Sequence, residues 1–382
     1  MSRTRDLGKI ISGNFDVPAS SLDNVTRSNI SDLGTGALSN RNLIINGAMQ
    51  VAQRGTSVST SSTGYKTVDR FYIEANGSTP TVTMSQDTAS TPDTFTQALK
   101  LQVTSTTTPS GFNIAQKIEG YNFSSAGFGK TTAKNITLSF WVRSSITGTY
   151  STAAMNSTAN RSYVSEYTIN TADTWEKKTI TIDGDTTGTW PSTSGMSLQL
   201  FFCLDNDGGS YTTSTIGSWI ASNKYAGSTN QVNWAGTNGA TFYITGVQLE
   251  VGDTATPFEH RSYGDELARC LRYYQSIVGL DTGPFEMSCY RQGTNSYIGN
   301  VPYKSIMRIT PSSSVVYGDS NNKIHKGGIT LQDAVVTIAP KADYIHISCA
   351  PASSHVSFAT NATNTSPVVW GYFWTVNLDA EL

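Results

Sequence analysis

Hydrophobic and polar residues alternate along many short segments between residues 42 and 259. In one of them, every second residue is apolar over seven positions: Leu198, Leu200, Phe202 and Leu204. Alternation of this kind predicts a strand with one face in a core. Similar patterns occur around residues 43–51, 69–73, 99–103, 136–142, 180–182 and 242–249. Because turn-forming Gly, Asn, Ser and Thr separate these segments, they predict an antiparallel β-sandwich of jelly-roll or Greek-key type.

The last of these segments changes phase at Gly246. Phe242 and Ile244 share one parity, whereas Val247 and Leu249 share the other. An isolated glycine at such a phase break predicts a β-bulge. We therefore expect this segment to be the closing strand of the sandwich.

A helix is predicted directly after the sandwich. Ser262 and Asp265 form a capping pair, and the acidic residues of the first turn favour a helix N-terminus. One apolar stripe at 4-3-4 spacing extends the prediction to residues 263–279: Leu267, Leu271, Tyr274 and Val278. The helix either lies across the end of the sandwich or packs around a symmetry axis, since the same spacing is that of a heptad.

The two ends of the chain have different patterns of apolar residues. Residues 280–382 again alternate, most regularly near the C-terminus, and predict a C-terminal β-sandwich domain. Apolar residues in 1–40 are spaced too irregularly for a core, so this segment is either a disordered leader or an extended arm that orders against another subunit. The expected class is mainly β, with an arm (1–40), a jelly-roll-like domain (41–262), a linker helix (263–279) and a C-terminal β domain (280–382).

Composition and charge exclude several functions. Charged residues make up 14% of the chain, below the ~25% of average domains. The net charge is -2 and no dense basic stripe is present, so nucleic acid is not an expected partner. No apolar run approaches the ~20 residues that span a bilayer, and the N-terminus does not have the pattern of a secretory signal.

Five stretches between residues 42 and 275 carry distinctive motifs: NLIINGAMQVAQRGT (42–56), VDRF (68–71), FWVRS (140–144), GVQLEVGD (246–253) and ATPFEHRSYGDELARCLRYY (255–274). In this order they resemble the carbohydrate-binding-module-like sandwich of tailed-bacteriophage tail fibres and receptor-binding proteins. The end of the chain, with MRITP (307–311) and NLDAEL (377–382), is more loosely similar to C-terminal domains of such proteins.

The resemblance implies a virion protein, assembled in the bacterial host cytoplasm, that is usually trimeric and binds host-surface glycans. The arm would then attach to other phage tail or virion proteins through a basic and apolar set: Arg3, Arg5, Leu7, Ile10 and Ile11. The candidates for a trimer-forming helix surface are Leu267, Leu271 and Tyr274. The C-terminal domain would face the host.

The long segment from 205 to 240 is the first candidate for glycan binding. It carries four aromatic residues among Gly, Ser, Thr and Asn: Tyr211, Trp219, Tyr225 and Trp234. Long loops in compact domains are often functional. Aromatic rings can stack on the apolar faces of sugars, while amides and carboxylates bind hydroxyls. Alternatively, the two tryptophans fill the core, and the C-terminal domain is an equal candidate for the binding site.

Metal and catalytic motifs are weak. Asp205 and Asp207 lie in a turn that is either ordinary Asp–Gly hairpin chemistry or a structural calcium site, although calcium needs six to eight oxygens. No HExxH or GxSxG motif occurs, so no cofactor and no enzyme activity are expected.

Three functions remain open on the sequence. The first is a non-enzymatic tail fibre or receptor-binding protein. The second is a purely structural virion adaptor, collar or capsid-decoration protein. The third is a virion-associated glycan hydrolase, which would need only two suitably spaced carboxylates.

Overall fold

The computed structural model describes residues 40–88, 91–92, 94–278, 290–291, 297–316, 324–326, 329–331, 334–341, 344–351, 370–371 and 375–382. The predicted anchoring residues lie outside this set: Arg3, Arg5, Leu7, Ile10 and Ile11. The chain is mainly β, as predicted, and residues 42–382 form one compact unit. The boundaries proposed at residues 262 and 280 stay predictions. No helix in the described part of the chain is long and apolar enough to cross a membrane.

Two antiparallel sheets form the sandwich. The first has six strands, in spatial order β1 (Ser57–Thr60), β4 (Thr81–Asp87), β5 (Ala98–Ser105), β15 (Thr241–Val251), β7 (Ile136–Ser144) and β10 (Glu176–Ile182). The second has seven, in spatial order β13 (Trp219–Ile220), β9 (Ser162–Ile169), β8 (Gly148–Asn156), β11 (Met196–Asp205), β6 (Pro109–Glu119), β3 (Tyr72–Gly77) and β2 (Gly64–Tyr65).

The predicted alternation decides which faces of the two sheets meet. Leu138 and Phe140 of β7 and Leu200 and Phe202 of β11 belong to one buried cluster between the sheets. The rings of Phe140 and Phe202 meet edge to face at 5.1 Å. The one-parity apolar residues of the sequence therefore form the common core of the sandwich.

The predicted bulge at Gly246 is confirmed. The register of β15 against β7 shifts between Thr245 and Gln248, and Gly246 has a φ of 60°. A Cβ atom at this glycine would lie 2.6 Å from Cζ of Phe95. Both the left-handed backbone and the close ring contact therefore require glycine here.

The helix after the sandwich is shorter than predicted. The described part of the chain contains the short helices α1 (Gly120–Phe123) and α2 (Tyr263–Leu271), and a 3-10 turn follows α1 at Ser124–Ala126. Ser262 caps α2 as expected, because its Oγ accepts a hydrogen bond from the Asp265 amide at 3.1 Å. The prediction that the helix continues through Tyr274 is wrong, since β16 (Tyr274–Val278) is a strand.

Strand pairing explains this early end. β16 pairs along its whole length with β25 (Thr375–Asp379), which supplies the backbone partners that a continued helix would otherwise provide. Leu267 packs against a buried group of the same chain that includes Ile45 and Tyr273. This contact agrees with a helix lying on the sandwich, and a trimer-forming role for Leu267 and Leu271 stays a prediction.

The other strands are short. β16, β25 and β19 (Ser312–Val316) form a three-stranded sheet. A four-stranded sheet contains β17 (Tyr290–Arg291), β18 (Tyr297–Pro302), β23 (Tyr344–Pro351) and β22 (Ala334–Pro340). A further sheet contains β21 (Ile329–Leu331), β20 (Ile324–Lys326) and β24 (Trp370–Gly371), and β12 (Thr212–Thr213) pairs in parallel with β14 (Gly227–Ser228).

Residues 379–382 contact the sandwich through charged side chains. Arg54 Nη2 lies 3.2 Å from a carboxylate oxygen of Asp379, and Arg70 is ion-paired with Glu381. Lys117 Nζ donates a hydrogen bond to the Leu382 carbonyl oxygen at 2.6 Å. These contacts hold the segment against Lys117 of β6 and against residues that precede β1 and β3.

Replacing Gly246 by Ala is expected to lower the free energy of unfolding by about 2–4 kcal/mol, because the new methyl group adds left-handed strain and overlaps Phe95. Gly264→Ala is the matched control, since nothing lies within 4 Å of its Cβ position. Urea unfolding of both variants measures the effect. Equal stability of Gly246→Ala and the parent protein would contradict the bulge geometry.

Candidate functional site

The outer face of the seven-stranded sheet carries an apolar row between two more polar rows. The cross-strand register defines the middle row: Tyr72, Ala115, Phe201, Ala153 and Val164. On one side runs a polar row: Glu74, Asn113, Cys203, Ser151 and Glu166. On the other side lies a third row: Lys117, Gln199, Met155 and Ser162.

Residues 206–231, here the covering segment, pack over part of this face. The Tyr225 ring lies 5.4 Å from that of Phe201, and Cys203 Sγ donates to the Tyr225 carbonyl at 3.3 Å. Farther along, the Ser228 amide donates to Ser151 Oγ at 2.9 Å. Apolar residues on the outer face are consequently buried beneath a loop.

The rows continue beyond the covering segment toward β3, where the side chains of Glu74 and Lys117 are partly exposed and those of Tyr72, Asn113 and Gln199 are buried. We call Tyr72, Glu74, Asn113, Lys117 and Gln199 the outer-face site. Glu74 and Lys117 are half-buried, and the Tyr72 hydroxyl accepts a hydrogen bond from the Gln199 amide. Lys117 Nζ lies 5.1 Å from the centre of the Tyr72 ring. A carboxylate, an ammonium group, amides and a phenol therefore surround an apolar strip.

Burial shifts the pKa values of the charged residues at this site. It raises the pKa of the Glu74 carboxyl, and the neighbouring Lys117 and a hydrogen bond from Tyr72 oppose that shift. Burial also lowers the pKa of the Lys117 ammonium group, and Glu74 opposes this in turn. The two side chains thus support each other's charged forms in a partly desolvated place.

Asn113 lies next to Glu74 in the polar row and is fully buried. Neither its Oδ1 nor its Nδ2 has a hydrogen-bond partner in the described part of the chain. An unpaired buried amide costs about 1–3 kcal/mol. A hydroxyl group that reached Asn113 would recover this cost, since the amide both donates and accepts.

Two of the aromatic residues predicted from the loop lie together beside this site. Tyr211 is half-exposed, and its ring lies 4.9 Å from that of Tyr225. Tyr225 is largely buried and its hydroxyl accepts a hydrogen bond from the amide of Asn76. Part of the Tyr211 ring is therefore exposed beside Tyr225, and a glycan-binding role for the two tyrosines stays a prediction.

The two predicted tryptophans lie elsewhere. Trp234 is 0% exposed, stacks on Phe112 at 6.1 Å and donates from Nε1 to the Thr241 carbonyl. It fills the core and offers no surface, so its prediction as a glycan platform is wrong. Trp219 is half-exposed at the opposite edge of the sheet, where its ring packs against Trp190 at 5.4 Å.

The outer-face residues were not predicted as a site. On an alternating strand, the parity opposite to the core is ordinarily assigned to solvent, and Glu74, Asn113 and Lys117 all have that parity. Their proximity depends on pairing between β3, β6 and β11, which are far apart in the sequence. One feature of the sequence could have indicated the site: Phe201 and Ala115 are apolar although their parity assigns them to the solvent-facing side of the strands.

The two predicted calcium ligands engage different parts of the chain. Asp205 is buried and accepts a hydrogen bond from the Ala235 amide, whereas Asp207 accepts from Ser110 Oγ at 2.8 Å and the Gly209 amide at 2.8 Å. Among the described residues, no group of three or more His, Cys, Asp or Glu could hold a metal ion. A calcium site at this turn stays a prediction.

No protein-family model and no curated protein matches the sequence. Among solved structures, the enzymatically active domain of tailspike protein 4 from bacteriophage CBA120 is 12% identical, with a TM-score of 0.31 over 55% of this chain and 21% of that one. The chain thus spans about a fifth of that tailspike domain.

Two further solved structures are carbohydrate modules by name. The family 11 carbohydrate-binding module of a Clostridium thermocellum cellulase is 11% identical, with a TM-score of 0.27 over 54% of this chain and 98% of that one. The N-terminal cellulose-binding domain of Cellulomonas fimi β-1,4-glucanase C is 14% identical, with a TM-score of 0.24 over 54% and 100%. All three likenesses are distant.

Asp205 is expected to make stability depend on pH. Burial raises the pKa of its carboxyl to about 7, against hydrogen bonds from Ala235 and neighbouring amides that lower it. Since an unfolded Asp has a pKa of about 3.9, the folded state holds the proton longer, and stability falls as the pH rises from about 4 to 7. Asp205→Asn should reduce this decline in urea unfolding midpoints measured across that range, and the raised pKa of Glu74 should leave a remainder.

Asp207→Asn is the control for this experiment. Hydrogen bonds from Ser110 and Gly209 lower the pKa of the Asp207 carboxyl, so this residue does not add to a decline in stability with rising pH. The control should follow the parent protein. A pH profile of Asp205→Asn that also follows the parent would contradict the assignment to Asp205.

Proposed function

We propose that the protein is a non-catalytic virion component of a tailed bacteriophage that attaches to host-surface glycans. One observation carries the glycan-binding part: the half-exposed Tyr211 ring, packed against Tyr225, lies beside the half-buried Glu74 and Lys117 side chains on the outer face of the seven-stranded sheet. A sugar ring has the matching chemistry, with apolar C–H faces and a rim of hydroxyls. The sequence resemblance to phage receptor-binding sandwiches supports the virion part.

Tyr211 and three residues of the outer-face site would contact the ligand in this proposal. Tyr211 would stack on a sugar ring, because its half-exposed ring is held by Tyr225. Glu74 would accept and Lys117 would donate hydrogen bonds to hydroxyls at the rim. Asn113 would pair with a hydroxyl that enters farther, which would relieve its unpaired amide.

The spacing of acids on this face favours binding over hydrolysis. Glu74 and Glu166 lie in the same row, separated by four inter-strand steps of about 4.8 Å, or roughly 19 Å. Glycoside hydrolysis uses two carboxyl groups about 5–10 Å apart. Release of reducing sugar from a bound polysaccharide would favour the hydrolase alternative instead.

A trimer would strengthen weak glycan contacts. Linked sites can raise the apparent affinity by about 10²–10⁴-fold over a single site. The proposal therefore includes self-association, attachment to other virion proteins through residues 1–40, and presentation of the binding surface toward the host. The competing proposal is a structural adaptor, collar or decoration protein with the same sandwich and no ligand.

Tyr211→Ala is expected to weaken binding to the glycans selected by the parent protein on a glycan array about tenfold, because it removes the stacking face. Tyr121→Ala is the matched control, since Tyr121 is 61% exposed and lies in α1, away from the three rows. Equal binding by Tyr211→Ala and the control would contradict the site. Failure of the parent to bind any glycan would favour the structural alternative.

Deleting residues 1–40 is expected to prevent incorporation into phage particles while glycan binding persists, because the sandwich begins after this segment. Immunodetection on purified particles, beside binding of the truncated protein to the same glycans, measures both properties. Particles that carry the truncated protein at the normal level would contradict an anchoring role for residues 1–40.

A further inference from the structure

A second surface of distinct chemistry lies on the outer face of the six-stranded sheet. The register places Lys100, Tyr243 and Arg143 side by side on β5, β15 and β7. In the adjacent row, Trp141 of β7 faces Lys177 of β10. We call these five residues, together with Trp175, the cationic face.

The cations of this face are arranged around aromatic rings. Lys100 Nζ lies 5.5 Å and Arg143 Cζ 4.9 Å from the centre of the Tyr243 ring. The ring of Trp175 contacts the same tyrosine at 6.1 Å. Trp141 and Trp175 are half-exposed and Lys177 is exposed, so rings and charges reach solvent together.

The charge of this face is opposite to that of the chain. Lys100, Arg143 and Lys177 are cationic in a protein whose net charge is -2. Arg143 Nη2 lies 3.7 Å from a carboxylate oxygen of Asp173, a side chain that is 56% exposed. Because this separation is longer than a hydrogen bond and Asp173 is exposed, a ligand carboxylate could take the place of Asp173 beside Arg143, whose side chain is 19% exposed.

We propose that the cationic face binds an acidic polysaccharide whose sugar rings carry carboxylates. The rings would stack on Trp141 and Trp175, and the carboxylates would pair with Lys100, Arg143 and Lys177. An arginine fork and flat aromatic rings suit a carboxylate-bearing ring better than a neutral one. This site is separate from the outer-face site, because it lies on the other sheet of the sandwich.

A duplex nucleic acid fits this surface less well. Tight nucleic-acid binding needs many phosphate contacts, with 6–10 typical of the salt-sensitive cases, whereas this face offers three cations beside half-exposed tryptophans. Each cation of this face lies near an aromatic ring. This arrangement favours a ligand in which charged groups and apolar surfaces alternate along the polymer.

The test uses polygalacturonate as the probe and compares it with its methyl ester and with polyglutamate of similar charge. Calorimetric titration of the full-length protein should show saturable binding of polygalacturonate, with much weaker binding of the other two polymers. Lys100→Gln combined with Lys177→Gln should weaken binding about tenfold. Trp175→Ala should weaken it as well, through lost stacking.

The matched control replaces two exposed lysines of the turn before β7, Lys130→Gln with Lys134→Gln, and changes the net charge equally. This variant, and Tyr211→Ala, should bind polygalacturonate as the parent does. Absence of saturable binding by the parent would overturn the proposal. So would equal losses in the two double variants, or equal binding of the methyl ester or of polyglutamate.

Discussion

The central strands of the seven-stranded sheet bury both of their faces. In β11 every residue after Met196 is buried, and the outward-facing Phe201 is as enclosed as the inward-facing Phe202. Apolar groups on an outer face gain about 25 cal/mol per Å² when water is removed, so a cover over them is stabilising. The positions of Tyr211 and of the outer-face site follow from how this cover is made and where it stops.

Two parts of the chain border the outer-face site. The covering segment packs on Phe201 from one side, through Tyr225. On the other side, Lys117 bonds to Leu382, and the buried Arg70 lies 3.5 Å from the Tyr273 ring centre while it pairs with Glu381. A buried cation of this kind is stable only when it is paired, which ties residues 379–382 to the sandwich. Between these two parts, Glu74 and Lys117 of the outer-face site keep part of their side chains exposed, while Tyr72, Asn113 and Gln199 are buried.

Local sequence patterns predicted the strands of the sandwich, but they did not predict contacts between residues far apart in the sequence. The parity change at Gly246 and the capping pair at Ser262 were correct because bulges and caps depend on neighbouring residues. The helix end was wrong because β16 pairs with β25, about a hundred residues later, and no local spacing reports such a partner. The prediction for Trp234 was wrong for the same reason, because its contact with Phe112 joins residues that are far apart in the sequence.

The central claim is that glycan occupies the outer-face site beside the covering segment. Hydrogen–deuterium exchange of the full-length protein, with and without a glycan selected on the array, tests this directly. The account predicts slower exchange in β3, β6 and residues 196–231, with no change in β18, β22 and β23. Protection confined to those latter strands would instead place the ligand in the C-terminal region and contradict the account.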